Sequence, residues 1–166
     1  MVAVILTAVI RGVIFYKNSS LDRILAHQSA VAVLEKIERD CHTFVLYDTD
    51  EYIVGETFKK GIFGWNSSSK HSPIVNTRGR DVMIRTDQIG SLTVGHNQII
   101  FGYVNPNEVA KVIFKTNEFE WDYKVHSYYW YIPIPVDKHL SGFQAEQLSV
   151  VLKDGTEVFY SFEELQ

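Results

Sequence analysis

From Val2 to Tyr16 almost every position is apolar, and the order follows neither strict alternation nor a one-sided helical spacing. As a helix, this stretch is apolar on every face, which is the surface a bilayer favours. A complete span needs roughly 20 apolar residues. Here the run covers residues 2–16 and contains Arg11, a charge worth on the order of 2.5 to 3.5 kcal/mol at a helix centre. A signal peptide tolerates the length but requires a basic leader and a small-residue cleavage site, and neither is written before Ser20. Residues 1–17 are therefore a hydrophobic segment, read first as a membrane anchor or the remnant of a longer one. A buried strand or core helix, and a cleaved signal, are the other readings.

The pattern then becomes helical. In "NSSLDRILAHQSAVAVLEKIERD", Leu21, Ile24, Leu25, Val31, Leu34 and Ile37 recur near helical spacing, and Asp22, Arg23, Glu35, Lys36, Glu38 and Arg39 take the opposite side. Ser19, with Asp22 three residues later, resembles a capping box. These signals predict one helix over about residues 20–40.

After His42 the chain changes to short runs of β-branched and aromatic residues broken by turn residues, the mark of antiparallel sheets. Strands are expected at 43–47, 52–58, 81–86, 91–95 and 98–104, with "DTDE", "KKG" and "GHN" among the turns. In "NEFEWDYKV" the apolar Phe119, Trp121, Tyr123 and Val125 alternate with Glu118, Glu120, Asp122 and Lys124, so one face is buried and the other wet. "EVAKVIFK" sets Ala110, Val112 and Phe114 against Lys111 and Lys115. "QLSVVLKDGTEVFYSF" reads as a hairpin turning at Asp154-Gly155, in which Leu148, Val150 and Leu152 face Val158, Tyr160 and Phe162. Pro133 and Pro135 lie on one side of "YYWYIPIPV" and lack ladder donors, which places that strand at a sheet edge. The polar stretch 64–80 reads as a protruding loop. The fold class is thus α+β and mainly β: a hydrophobic segment and an amphipathic helix, then antiparallel sheets with a sandwich-like C-terminal half. Residues 18–166 form one β-rich domain.

Charge narrows the function. The net charge is −4, with ten basic and eight acidic residues in 1–80 against six and twelve in 81–166. That balance gives a polyphosphate backbone nothing to bind, so no nucleic-acid partner is expected. Cys41 is the single cysteine, which excludes an internal disulfide; it reads as a small buried residue at a helix end.

Catalytic patterns are absent or faint. Ser67 and Lys70 have the spacing of a serine nucleophile and its lysine one helical turn apart, and Lys115 to Asn117 echo a third motif of penicillin-binding enzymes, but the larger fold and the SDN-type element are missing. Asp48, Asp50 and Glu51 offer oxygen ligands, yet Ile53 and Lys59 stand where a calcium loop needs Gly and Glu, so an exposed acidic turn is expected. The six histidines, at 27, 42, 71, 96, 126 and 139, have no ligand spacing. No metal and no cofactor is expected. The sequons at Asn18 and Asn66 matter only in a eukaryotic secretory pathway.

The aromatic run "WDYKVHSYYWYIP" is the most functional-looking feature, because Tyr and Trp combine large apolar area with a polar handle and edge strands accept partners. Alternation assigns Trp121 and Tyr123 to the core. Trp65, Tyr128, Trp130 and Tyr131 are the residues expected at a ligand or partner surface.

At "IIFGYVNPNEVAKVIF", with Gly64-Trp65 before it and Lys153-Asp154-Gly155 after it, the chain resembles a group of uncharacterised small membrane-anchored extracytoplasmic proteins of Bacillus-like Gram-positive bacteria. These have an N-terminal anchor, a GW-containing hairpin and a β-rich carboxyl half outside the membrane. The similarity spans residues 43–162, and the chain departs from the group in its short, Arg-interrupted apolar segment. It implies an extracytoplasmic address and no particular activity. The expected function is a non-enzymatic binding or interaction module, with an unknown protein or small-molecule partner and with membrane contact through residues 1–16. The alternatives are a small soluble hydrolase-like enzyme with its site in the 64–80 loop, or a cytosolic ligand-binding module.

Overall fold

A computed structural model of the chain describes residues 2–71, 73–76, 84, 89–135 and 145–159. Among them are helices α1 (Val2–Lys17) and α2 (Leu21–His27), and strands β1 (Ala32–Arg39), β2 (His42–Asp48), β3 (Tyr52–Gly61), β4 (Gly64–Lys70), β5 (Ile74–Val75), β6 (Gly90–Val94), β7 (Asn97–Tyr103), β8 (Val109–Lys115), β9 (Glu120–Lys124), β10 (Tyr129–Pro135), β11 (Leu148–Leu152) and β12 (Glu157–Phe159). The pairs among these strands are antiparallel.

Among the described residues three sheets result. The first has the order β1-β2-β3-β4, with β5 beside the start of β3; the second is β10-β7-β6; the third is β12-β11-β8-β9. Alternation explains how they stack. Along β2 and β3, Phe44, Leu46 and Ile53 join Leu92, Ile99, Phe101 and Tyr103 of the second sheet in one core. The opposite face of the same strands sends Val45, Tyr47, Val54 and Phe58 against Leu21 and Leu25 of α2. The second sheet is likewise covered twice. Its other face, with Ile100, Trp130, Ile132 and Ile134, meets Val112, Phe114, Leu148 and Val150 of the third sheet. The order through the body is α2, first sheet, second sheet, third sheet. A mainly β fold with a sandwich-like carboxyl half is what the alternation predicts.

Several expectations take their predicted form. Prolines 133 and 135 lie on β10, which is an edge of its sheet. Val150 pairs with Val158 across a turn in which Gly155 takes φ +89° and Asp154 Oδ1 accepts from the Thr156 N–H at 2.8 Å. Tyr160 and Phe162 lie outside the described residues, as does the strand expected at 81–86 except for Ile84, which bridges to Val104.

The single helix over 20–40 is corrected. α2 ends at His27, Gln28 caps it, and Ser29 takes a left-handed φ of 61°. Ala32–Arg39 then pairs with β2, joining Ile37 to Phe44 and Lys36 to Val45. Ala, Leu, Glu and Lys favour helix locally, but that preference is well under 1 kcal/mol per residue and yields to a sheet partner one turn away. That turn is Asp40-Cys41, with Asp40 at φ 52°, so Cys41 is exposed in a hairpin and not buried at a helix end. The cap of α2 is Ser20, which accepts from the Arg23 N–H, and not Ser19.

The loop expected over 64–80 is also corrected in its first part. Gly64–Lys70 is strand β4, on the edge of the first sheet, and Ile74–Val75 is β5; residues 72 and 77–80 lie outside the described residues. A run of serines carries no hydrophobic alternation, and an edge strand exposed along most of its length needs none.

Candidate functional site

The predicted site residues fall in three places. Trp130 is wholly buried between the second and third sheets, its indole over Gly102 on the neighbouring strand, where it is core. Tyr131, on the other side of β10, and Tyr128, just before the strand, pack against the core between the first and second sheets. Trp65 is elsewhere, on β4 beside α2.

The Tyr128–Tyr131 region is a seam where edge strands of all three sheets meet. β10 contributes Tyr129 and Tyr131, β9 contributes Tyr123, and β1 contributes Leu34 and Glu35. The Tyr123 and Tyr131 rings lie 5.3 Å apart at 55°, and those of Tyr128 and Tyr129 lie 6.0 Å apart nearly edge-on. The Tyr129 hydroxyl donates to the Leu34 carbonyl at 2.8 Å, tying the second sheet to the first. Tyr128 makes a second tie, donating to Asp48 Oδ2 at 2.5 Å; Asp48 is buried and also accepts from the Asp50 N–H at 2.8 Å. The expected exposed acidic turn is thus corrected at Asp48, which is buried and hydrogen-bonded within the fold, while Asp50 and Glu51 are exposed.

Electrostatics define what the seam can do. Burial, then the charges of Tyr129, Tyr131 and Glu35, hold the Tyr123 hydroxyl well above the ordinary phenol range. Burial followed by the Glu35 carboxylate raises Tyr129 and Tyr131 in the same direction. These hydroxyls stay protonated at neutral pH, so they are hydrogen-bonding groups and not general bases. Half-buried ring faces, hydroxyls and one carboxylate suit the binding of a polar or amphipathic partner.

A second polar group lies under the end of α2. Glu56 of β3, 1% exposed, accepts from the Tyr47 hydroxyl at 3.0 Å and from the Gln28 amide at 3.3 Å, and Lys70 Nζ lies 3.5 Å away. The Tyr47 hydroxyl also meets the Gln28 side-chain oxygen Oε1 and accepts from Lys70 Nζ at 3.1 Å. Burial, then Glu56, pushes Tyr47 strongly up. Each charge here is answered by another member of the group, as a buried carboxylate requires. Lys70 is engaged with Glu56 and Tyr47, while Ser67, Ser68 and Ser69 are exposed on the edge strand and the Ser68 hydroxyl donates to the Thr57 carbonyl at 2.9 Å. The serine–lysine pattern thus lies on a bulged edge strand, where Lys70 is held by Glu56 and Tyr47 and, among the described residues, no hydrogen bond joins it to Ser67. Among the described residues no three His, Cys, Asp or Glu side chains are grouped as a metal site.

The third place is the end of α1. There the Trp65 N–H donates to the Asn18 carbonyl at 2.8 Å, and Gly64, at φ +97°, approaches so closely that a Cβ would meet the Asn18 oxygen at 2.3 Å. Arg23 fastens the corner between the helices: its guanidinium lies 4.0 Å over the Tyr16 ring and donates to Ser19 Oγ at 2.6 Å. Lys60 Nζ sits 5.9 Å from the Trp65 ring centre.

Sequence reasoning singled out Tyr128 and Tyr131 but neither Glu35 nor Glu56. Glu35 was hidden by the helical reading of its segment. Glu56 carried a signal in "YIVGETF", a charge inside an otherwise apolar strand. Family models, curated proteins and solved structures were each compared with the chain, and none matches.

Proposed function

We propose that the protein is a non-enzymatic binding module held at a membrane by α1, with its β domain on the extracytoplasmic side. The observation that carries this reading is the state of α1. Leu6, Val9, Ile10, Val13, Ile14, Phe15 and Tyr16 are 49–62% exposed, and none of the described side chains of α1 belongs to any of the three core clusters. Burying a large apolar side chain is worth roughly 1.5–3 kcal/mol. These seven, already half covered, would together gain on the order of 5–10 kcal/mol in an apolar phase.

The sixteen residues of α1 measure about 24 Å at the helical rise, against a hydrocarbon thickness of roughly 30 Å. No helix among the described residues is long and apolar enough to cross a membrane. The proposal asks of these residues insertion and not a crossing, with the Arg11 guanidinium reaching toward the headgroups on its alkyl stem. Tyr16, Lys17 and Arg23 at the far end are side chains suited to the interface. The resemblance to anchored extracytoplasmic proteins supports the address, and the tyrosine-lined seam supplies the binding surface.

Fractionation of cells expressing the full chain tests this reading. The protein should sediment with membranes, and the triple variant Ile10→Asp, Val13→Asp, Ile14→Asp should move to the soluble fraction with an unchanged unfolding midpoint. Recovery of the unaltered chain in the soluble fraction overturns the proposal.

A further inference from the structure

The ribbon formed by β3 and β4 changes character at Lys59. From Ile53 to Phe58 the strand is buried; Lys59, Lys60, Gly61, Ile62 and Phe63 are all exposed. Ile62 and Phe63 form the tip, between the paired glycines 61 and 64, at 92% and 71% exposure. Turns of this kind usually carry polar residues, and a β-branched residue followed by an aromatic one in full solvent is a costly choice there. Lys59 and Lys60 stand on successive positions behind the tip, so their ammonium groups flank the ribbon on both faces. Trp65 lies half-buried across from Lys60.

The position of this tip is as informative as its composition. The glycine that closes it, Gly64, and the Trp65 N–H are the groups packed on Asn18, the residue that follows α1. The apolar helix and the apolar turn therefore meet at one corner of the molecule, where Lys17, Arg23, Lys59 and Lys60 are also exposed. No acidic residue lies between Lys59 and His71.

We propose that the Ile62–Phe63 tip is a second lipid contact, a wedge that dips into the interface of an anionic bilayer beside α1 and fixes the orientation of the β domain on the membrane. An apolar pair ringed by Lys and Trp has the layered chemistry of that interface: hydrocarbon below, aromatic at the headgroup level, cations at the phosphates. A folded protein partner is a poorer fit, since a stable interface takes about 800 Å² from each side and a two-residue tip presents only a fraction of that. The inference rests on the membrane reading of α1 and extends it: one contact tethers the domain, and two contacts set which face it presents.

The test uses the full chain carrying Cys41→Ser and Phe63→Cys, labelled at position 63 with an environment-sensitive fluorophore and mixed with vesicles of phosphatidylcholine containing phosphatidylglycerol. Flotation reports attachment, and emission reports the surroundings of the tip. The expected result is that the chain floats and that emission at position 63 rises several-fold, shifts to the blue and is quenched by bromine placed on the acyl chains. Replacing Lys59 and Lys60 by Gln should weaken the dependence of that signal on phosphatidylglycerol, by about fivefold in lipid concentration for each charge removed. A chain that floats while position 63 keeps its emission in water overturns the wedge and leaves the tether standing. A chain that does not float overturns both.

Discussion

Replacement of Gly55 by Ala tests the contact between the first two sheets directly. The Phe101 ring is fully buried, and its Cζ would lie 2.2 Å from a Cβ built on Gly55 of β3 and equally 2.2 Å from one built on Gly90 of β6. Contacts between carbon atoms settle near 3.5–4.0 Å. The ring or the strand would have to retreat by more than about 1 Å, and Gly90 together with Phe44, whose ring centre is 5.6 Å from that of Phe101, limits the retreat. Overpacking of this kind costs about 1–3 kcal/mol, and a site closed on both sides belongs near 3 kcal/mol. At roughly 2–4 °C per kcal/mol for a chain of this size, Gly55→Ala should lower the midpoint of thermal unfolding by about 6–12 °C. Circular dichroism in mild detergent, with urea titration beside it, measures both quantities. Phe101→Ala alone should lose about 3–5 kcal/mol. The double variant should lose little more, because the methyl added at position 55 then occupies space the ring has left, giving a coupling of about 3 kcal/mol in the cycle. A loss below about 0.5 kcal/mol for Gly55→Ala, or simple addition of the two losses, would refute the packing argument.

Two further predictions concern the seam and the buried tyrosine hydroxyls. Tyr128→Phe removes the 2.5 Å bond to the buried Asp48 carboxylate and should lower stability by about 1.5–3 kcal/mol by urea unfolding; no change would mean that the bond does not hold the sheets. The raised Tyr47, Tyr123, Tyr129 and Tyr131 hydroxyls set a pH dependence, because the folded protein keeps protons that the unfolded chain releases near pH 10. Their contribution is complete below about pH 10 and is lost as the pH climbs above it, so phenolate absorbance from these residues should appear together with the loss of circular dichroism. Free ionisation of all nine tyrosines near pH 10 in an intact fold would contradict that.

The readable parts of the chain were those where local pattern and tertiary demand coincide. β9 alternates because one face is wet, the β11–β12 turn needs Gly at φ +89°, and two prolines can share a strand only where ladder donors are not required. β1 could not be read in the same way, since "AVLEKIER" has helix-forming composition and becomes a strand only by pairing with β2. β4 was obscured by its serines, which show no periodicity on an edge. At the seam, the aromatic run announced Tyr128 and Tyr131, but the face taken by Trp130 depended on register. Glu35, whose carboxylate raises Tyr131, lies far from it in sequence, on a strand of helix-forming composition.

Cys41 offers the measurement that bears most directly on the membrane-held, extracytoplasmic reading. It is the single cysteine and lies exposed in the β1–β2 turn, so a membrane-impermeant thiol reagent reports the side on which the domain resides. In intact cells expressing the full chain, Cys41 should be labelled without lysis, and the labelled protein should sediment with the membranes. Labelling that requires lysis, or labelled protein in the soluble fraction, would contradict the account.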